Sequence, residues 1–425
     1  VKESSPSFCL LPWVSLAIRN NGDYRVCCHA NTSQGGGLLS SNAAVTSLED
    51  ARNSELLKQI RRQMLQGEWP QSCVRCLREE TAGMRSKRIY SKDTLPSGYT
   101  QEWAESVTAP DGELSLEQAP LLDLDVRFGN KCNLACRMCG PSDSSAWISD
   151  HQKLGGRFEQ TGFDWHESPA FWRSLEARAE EIEHIYIVGG EPLLIERHYQ
   201  FLDGLIEKGR AGAVTLEYNT NLTVLPQKAL DLWKHFKKVR LGVSFDGVGA
   251  INDYIRHPSR FHLVEKNLER IDRAEGNYQV WLACTVSVYN LHHLVALMEW
   301  VHSKNFKRIG KTRGKEFFVP HPVHRPHYLN IQALPRALKE KYSEFLTKEI
   351  AVFLTKESLT ENERVSAQGI LRRYLEFMKT EDLSAFWPEF GNYTRKLDRI
   401  RDQSYRVLEA LFDLEEGGHG CHPVG

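Results

Sequence analysis

From residue 119 onward the chain carries two rhythms of apolar and polar positions. Short runs rich in β-branched and aromatic residues alternate with longer stretches whose apolar positions recur every three or four residues. Strands and helices leave these two signatures. The strand-like runs are LLDLDVRF (121–128), HIYIVGG (184–190), AVTLEYNTN (213–221), KVRLGVSFDG (238–247) and YQVWLACTVSVYN (278–290), with a weaker one inside IGKTRGKEFFVP (309–320). Helical stretches such as 196–208 and 291–303 lie between them. Strands that alternate with helices predict βαβ units and a parallel sheet in an α/β fold. The rest of the chain is helical, at about 335–355, 362–379 and 391–413, the last with Leu397, Ile400, Ser404, Val407, Leu408 and Leu411 on one face.

The first ninety residues read differently. FCLLPWVSLAIRNNGDYRVCCHA predicts a β-hairpin around Asn20, Asn21 and Gly22, residues that accept the positive φ of a tight turn. It would put Cys9 on the first strand and Cys27 and Cys28 at the end of the second. A loop is expected at SQGGGLLSSNAA. A helix over about 52–66 would bury Leu56, Leu57, Ile60 and Met64 and stop at Gly67 and Pro70, just before the CVRC of 73–76. Residues 92–118 are polar and turn-rich, which suggests a linker. The expected organisation is therefore a cysteine-rich domain (1–91), the linker (92–118), an α/β domain (119–320) and a C-terminal helical region (321–425).

Composition narrows the function classes. The 54 basic and 55 acidic side chains nearly cancel, which argues against a nucleic-acid partner. The basic run KRIGKTRGK at 307–315 reads as a solvated strand edge. No apolar stretch approaches the ~20 residues of a membrane span, so no membrane partner is expected. Ten cysteines in 425 residues are too sparse for a disulfide scaffold, and they cluster as ligands would. Free thiols fit a reducing compartment, and a cytoplasmic location is expected.

The clearest chemical signal is FGNKCNLACRMCGP, directly after the first strand run of the α/β part. Cys132, Cys136 and Cys139 stand as C-x3-C-x2-C, a spacing that can bring three thiolates onto one small inorganic core. A zinc knuckle, the other reading, normally takes four ligands in two pairs. The motif and the order of elements behind it resemble the radical S-adenosylmethionine (SAM) superfamily. The resemblance implies a partial (β/α)6 TIM barrel, with chemistry at the C-terminal ends of the strands. It implies a 4Fe–4S cluster on Cys132, Cys136 and Cys139 whose open iron chelates SAM and whose electron cleaves it to a 5′-deoxyadenosyl radical. It places Met138 near the adenine, where the family usually has an aromatic residue. Gly189, Gly190, Glu191 and Pro192 would meet the SAM amino group, and Asn221 would touch the SAM region, although Leu222 replaces the usual glycine. Ser244 and Asp246 would lie at the ribose and carboxylate, and Arg256 would pair with the carboxylate. Thr285 and Asn290 resemble a further family segment. Cys284, in an apolar strand, reads as core.

The N-terminal cysteines are similar to the twitch half of a SPASM auxiliary-cluster domain, here placed before the barrel instead of after it. Cys9, Cys27, Cys73 and Cys76 would hold an auxiliary 4Fe–4S cluster, with Cys28 as the alternate to Cys27. Zinc would suit four thiolates equally well. The resemblance implies a radical SAM oxidoreductase that takes electrons from a reductant protein, flavodoxin or ferredoxin. Its substrate would be a ribosomally made peptide, oxidised by dehydrogenation or cross-linking. The alternative is a dehydrogenase or epimerase of a small metabolite such as an amino acid or aminosugar, and a third class is a zinc-binding interaction protein. In the tail GGHGCHPVG, Cys421 is a candidate hydrogen donor to a substrate radical.

Overall fold

The computed structural model describes residues 5–30, 37–81, 85–312 and 315–408. It divides into two compact units, and several segments of the chain alternate between them. Unit 1 comprises Val1–Lys131, Glu159–Asn219 and Pro226–Arg240; unit 2 comprises Cys132–Phe158, Thr220–Leu225 and Leu241–Gly425.

In unit 1 the N-terminal hairpin consists of β1 (Ser15–Ile18) and β2 (Asp23–Arg25), antiparallel, with β3 (Leu38–Asn42) beyond β2. Gly22 turns the hairpin at φ +85°, where a Cβ would sit 2.8 Å from the Trp165 ring. Two expectations change here. Cys9 precedes a short helix, Leu11–Val14, because Pro12 suits a first helical turn and cannot donate to a ladder. Leu38–Asn42, expected in a loop, is a strand because β2 offers it an open edge. The helix expected over 52–66 breaks at Asn53 into Leu48–Arg52 and Glu55–Leu65.

β1 pairs in parallel with β4 (Asp123–Arg127), β4 with β5 (His184–Val188), and β5 with β6 (Thr215–Thr220). Successive strand residues point to opposite faces. Leu124, Val126, Ile185, Ile187, Leu216 and Tyr218 are buried apolar positions on one face. The alternate positions carry Asp123, Asp125, His184, Tyr186, Glu217 and Asn219. One side of this parallel sheet is therefore lined with polar and charged groups.

The segment 92–118 packs within unit 1. It holds a helix, Gln101–Ser106, and Trp13 Nε1 donates to Thr108 Oγ1 at 2.8 Å. Buried Arg61 ties it down through the Gly112 carbonyl (3.1 Å), and buried Arg52 holds the next residue, Ala119, through its carbonyl (2.8 Å).

Strand β7 (Lys238–Ser244) ends in unit 2, where β8 (Tyr278–Val286) follows in the sheet. A two-residue ladder of β9 (Lys311–Thr312) with β10 (Lys315–Glu316) precedes β11 (Val319–Pro322), which pairs in parallel with β8. β4, β5, β6, β7, β8 and β11 thus follow one another along the chain with helices between them, the expected succession of six strands. The fold is mixed α/β with a parallel sheet. Three helices end the described chain: Arg336–Leu354, Glu361–Thr380 and Trp387–Arg401. The third stops at Arg401 and not near 413, with Asp402 left-handed at φ +51°. No helix among the described residues is long and apolar enough to cross a membrane.

Candidate functional site

The cysteine loop, Cys132–Gly140, has almost no regular structure, so its shape depends on what holds its backbone. Within unit 2 the residues after β7 do part of this. Ala135 N–H donates to the His257 carbonyl at 2.6 Å, and Arg137 N–H donates to the Ile255 carbonyl at 2.8 Å. The helix Trp387–Arg401 does the rest. Arg401 donates to the Ala135 carbonyl at 2.7 Å and pairs with Asp150 at 2.8 Å. The Tyr393 hydroxyl donates to the Arg137 carbonyl at 2.8 Å, and Leu397 packs with Ala135 and Trp147. Trp147 Nε1 donates to the Cys136 carbonyl at 2.7 Å.

Arg137 is fully buried inside the cysteine motif. Its guanidinium lies 3.6 Å from the centroid of the Tyr254 ring, donates to the Tyr254 carbonyl at 3.0 Å and is paired with Asp398. Sequence reasoning passed over Arg137, Asp398 and Arg401. The one available signal was an arginine among ligand cysteines, with nothing to name its partner about 260 residues away.

The sulfurs meet nitrogen donors. Leu134 N–H lies 3.5 Å from Cys132 Sγ, Asn221 Nδ2 lies 3.8 Å from it, and Arg256 Nη1 lies 3.8 Å from Cys136 Sγ. The Cys139 thiol donates to Cys136, which, together with the nearby Arg256 cation, holds the Cys136 thiol below its usual range. The same bond pushes Cys139 up. Donors aimed at sulfur suit thiolate ligands of a cluster. Met138 is half-buried beside Cys139.

Asp246 and Arg256, expected to contact SAM, hold each other at 2.8 Å, both buried. Burial pushes the Asp246 carboxyl up, against the opposing pull of Arg256. Thr285 N–H donates to Asp246 Oδ1 at 2.7 Å, and Asn290 Nδ2 donates to the Asp246 carbonyl at 2.9 Å. Ser244 ends β7, half-buried. Asn221 also donates to Asn133 Oδ1 at 3.1 Å. Leu222 next to it is left-handed at φ +52°, a conformation glycine adopts more freely.

In unit 1 the glycines after β5 meet the strand-to-loop segment before the cysteines. Gly190 N–H donates to the Gly129 carbonyl at 3.1 Å, and Glu191 N–H donates to the Lys131 carbonyl at 2.8 Å. A Cβ on Gly190 would lie 2.3 Å from the Lys131 oxygen. Gly189 and Gly190 are thus required by backbone packing. Glu191 accepts from Leu193 N–H at 3.1 Å, and Pro192 starts a short 3₁₀ turn.

Also in unit 1, Cys9, Cys27, Cys73 and Cys76 line one cavity, walled by Leu11, Met64 and Trp69 among others. Burial pushes the Cys9 thiol up to about 11, Cys27 up to about 12 and Cys73 further. Alone these thiols stay protonated, and the positive charge of a metal centre would favour their thiolates. Cys28 lines the neighbouring cavity instead, against Asp125. Cys284 is buried on β8. Cys421 lies outside the described residues.

With this geometry in place, the comparisons define the class of protein. Residues 126–301 match the radical SAM superfamily, so this part of the chain is a radical SAM domain. Residues 9–77 match SPASM, described as an iron–sulfur cluster-binding domain, so the auxiliary unit precedes the radical SAM domain in the chain. The two domains imply a 4Fe–4S cluster with SAM and an auxiliary iron–sulfur cluster, which the two cysteine sets fit by donor chemistry. No curated protein matches the chain. Among solved structures, anSMEcpe with bound AdoMet and Kp18Cys peptide is 18% identical with a TM-score of 0.35, covering 54% of this chain and 59% of its own. Streptococcus suis SuiB bound to S-adenosylmethionine is 12% identical with a TM-score of 0.34, covering 82% of this chain and 70% of its own. The chain thus spans about three fifths of the length of the first of these structures.

Proposed function

We propose that the protein is a radical SAM oxidoreductase that removes two electrons from a peptide substrate, by dehydrogenation or cross-linking. The observation that carries this reading is the presence of two separate cysteine sets, three thiols in the loop after β4 and four in one cavity of unit 1. In this reading Cys132, Cys136 and Cys139 hold the cluster whose open iron binds SAM, and Cys9, Cys27, Cys73 and Cys76 hold the auxiliary one. When loaded, the first supplies the electron that cleaves SAM and so the radical that takes a hydrogen atom from substrate.

The chain's own residues bind and orient. Asn221, Leu134 N–H and Arg256 direct donors at sulfur, and Asp246 with Thr285 fixes Arg256. A cavity with four thiols leaves no vacant coordination position, so the second site is suited to passing electrons and not to binding substrate. Cys139 borders an open groove with His151, Tyr393 and Lys396, where a reductant protein would approach. The peptide substrate is taken from auxiliary-cluster relatives by analogy.

The test uses two triple variants of anaerobically reconstituted protein. Alanine at Cys132, Cys136 and Cys139 should abolish 5′-deoxyadenosine formation; undiminished SAM cleavage sinks the reading. Alanine at Cys9, Cys73 and Cys76 should halve the iron and keep 5′-deoxyadenosine detectable, while product mass changes in host extract disappear. Stoichiometric zinc in that site, or full turnover, would remove the electron-transfer role.

A further inference from the structure

The cavity that holds Cys9, Cys27, Cys73 and Cys76 has a further ligand-type side chain in its wall, His29. The local backbone fixes where this residue stands. Arg25 donates to the Cys28 and Ala30 carbonyls, each at 2.9 Å, and Ala30 N–H donates to the Cys27 carbonyl at 3.2 Å. Within that turn His29 N–H donates to the Cys27 sulfur. The imidazole of His29 stands beside a different thiol, Cys76 of the helix Val74–Thr81, with Glu79 three residues further along that helix. One donor atom from each of His29, Cys76 and Glu79 lies within 4.8 Å of the other two.

The three members of this group differ in what they are free to do. Glu79 is engaged: its Oε1 accepts from Arg75 Nε at 2.9 Å, while Oε2 stands 3.8 Å from His29 Nδ1. The His29 side chain is 31% exposed, yet its Nδ1 is buried and has no hydrogen-bond partner. Buried polar groups are nearly always paired, so this imidazole calls for a partner. A ring with a carboxylate beside it is the setting in which histidine ligates a metal, the carboxylate fixing its orientation. Two donors that share one ion by bonds of about 2.0–2.3 Å stand roughly 3.6 Å apart, so His29 and Cys76 need to close by about 1 Å. That is within the swing of a side chain.

We propose that His29 is a fifth protein ligand of the auxiliary centre, oriented by Glu79 and bound to the metal ion that Cys76 binds. The four-cysteine set comes from the proposed function; the electron-transfer role does not enter. A 4Fe–4S cluster takes one thiolate per iron, so the iron at Cys76 differs from the other three in carrying nitrogen as well as sulfur. That iron keeps a protein ligand when Cys76 is removed, and the other irons do not when theirs are.

The test uses the full chain with Cys132, Cys136 and Cys139 replaced by alanine, so that bound metal belongs to the N-terminal unit. Release of that metal to a chelator is followed in Cys76→Ala, in Cys73→Ala, and in Cys76→Ala combined with His29→Ala. Cys76→Ala should release it at least about tenfold more slowly than the other two, the least that an oriented ligand contributes. Equal rates in Cys76→Ala and in either of the others overturn the proposal. Protein with its N-terminal cysteines intact and its histidines labelled with ¹⁵N gives a second readout. The reduced cluster should show hyperfine coupling to a bound nitrogen in pulsed EPR, and His29→Ala should abolish it. Absence of that coupling, or its survival in His29→Ala, also overturns the proposal, and this measurement decides if a cysteine variant does not fold. Zinc in place of iron would end the electron-transfer role but leave the chelator comparison to judge His29, so the two failures are distinct.

Discussion

Arg256 serves two partners, the Asp246 carboxylate at 2.8 Å and the Cys136 sulfur at 3.8 Å. Arg256→Ala leaves Asp246 buried without its cation, and breaking a buried pair in this way costs about 3–5 kcal/mol. Denaturation of the iron-loaded variant should show that loss together with weakened SAM binding. Weak SAM binding with an unchanged denaturation midpoint would mean that Arg256 is reserved for the ligand and does not hold Asp246. His184 offers a pH test. Burial alone would depress it, but hydrogen bonds to Asp123 and Glu217 raise it to about 9. The same pairing takes Asp123 down to about 2 against the opposite pull of burial. A raised histidine stabilises fully below its unfolded pKa of about 6.5 and loses that contribution as pH rises through 9. A depressed aspartate stabilises above 3.8 and loses its contribution as pH falls through 2. The contribution of the His184–Asp123 pair should therefore be level between about pH 4 and 6.5 and fall by roughly 2–3 kcal/mol toward pH 9. His184→Gln should flatten that alkaline limb; an unchanged limb would assign it to other groups.

At the scale of elements, the helix Trp387–Arg401 is the part to perturb. Arg401→Ala removes the bonds to the Ala135 carbonyl and to Asp150, both buried. The variant should lose about 2–4 kcal/mol, by the cost of leaving buried charged partners unpaired. It should also lose iron from the loop cluster preferentially, measured by iron content and electronic absorption before and after gel filtration. Retention of that iron with normal stability would show that the loop holds its shape without the helix. This brace was illegible in sequence, because an exposed and a load-carrying arginine look alike until the partner is known. The strands were legible because β8 alternates buried and half-buried positions along its whole length, a period that needs no tertiary information. Leu38–Asn42 was missed for the opposite reason: LLSSN has little intrinsic strand character, and the open edge of β2 decides its conformation. Cys9 was misplaced because LLPWV is apolar in either state, and the proline that settles it was read as part of a strand.

At the scale of the whole molecule, the cysteine motifs were readable and the residues that brace them were not. The spacing of five of the seven cysteines is local, so C-x3-C-x2-C and C-x2-C announce themselves within a few residues, whereas Cys9 and Cys27 stand apart. What turns them into sites is contributed from far along the chain. Arg137 and Asp398 are separated by 261 positions. That separation is also an interval of time. At roughly 5–20 residues per second of synthesis, Asp398 emerges some 13–50 s after Arg137. Throughout that interval three reactive thiols stand on a loop without its clamp, exposed to oxygen and to competing metal ions. A cluster inserted into this loop before the helix Trp387–Arg401 has been made would therefore sit on a backbone that still lacks its braces.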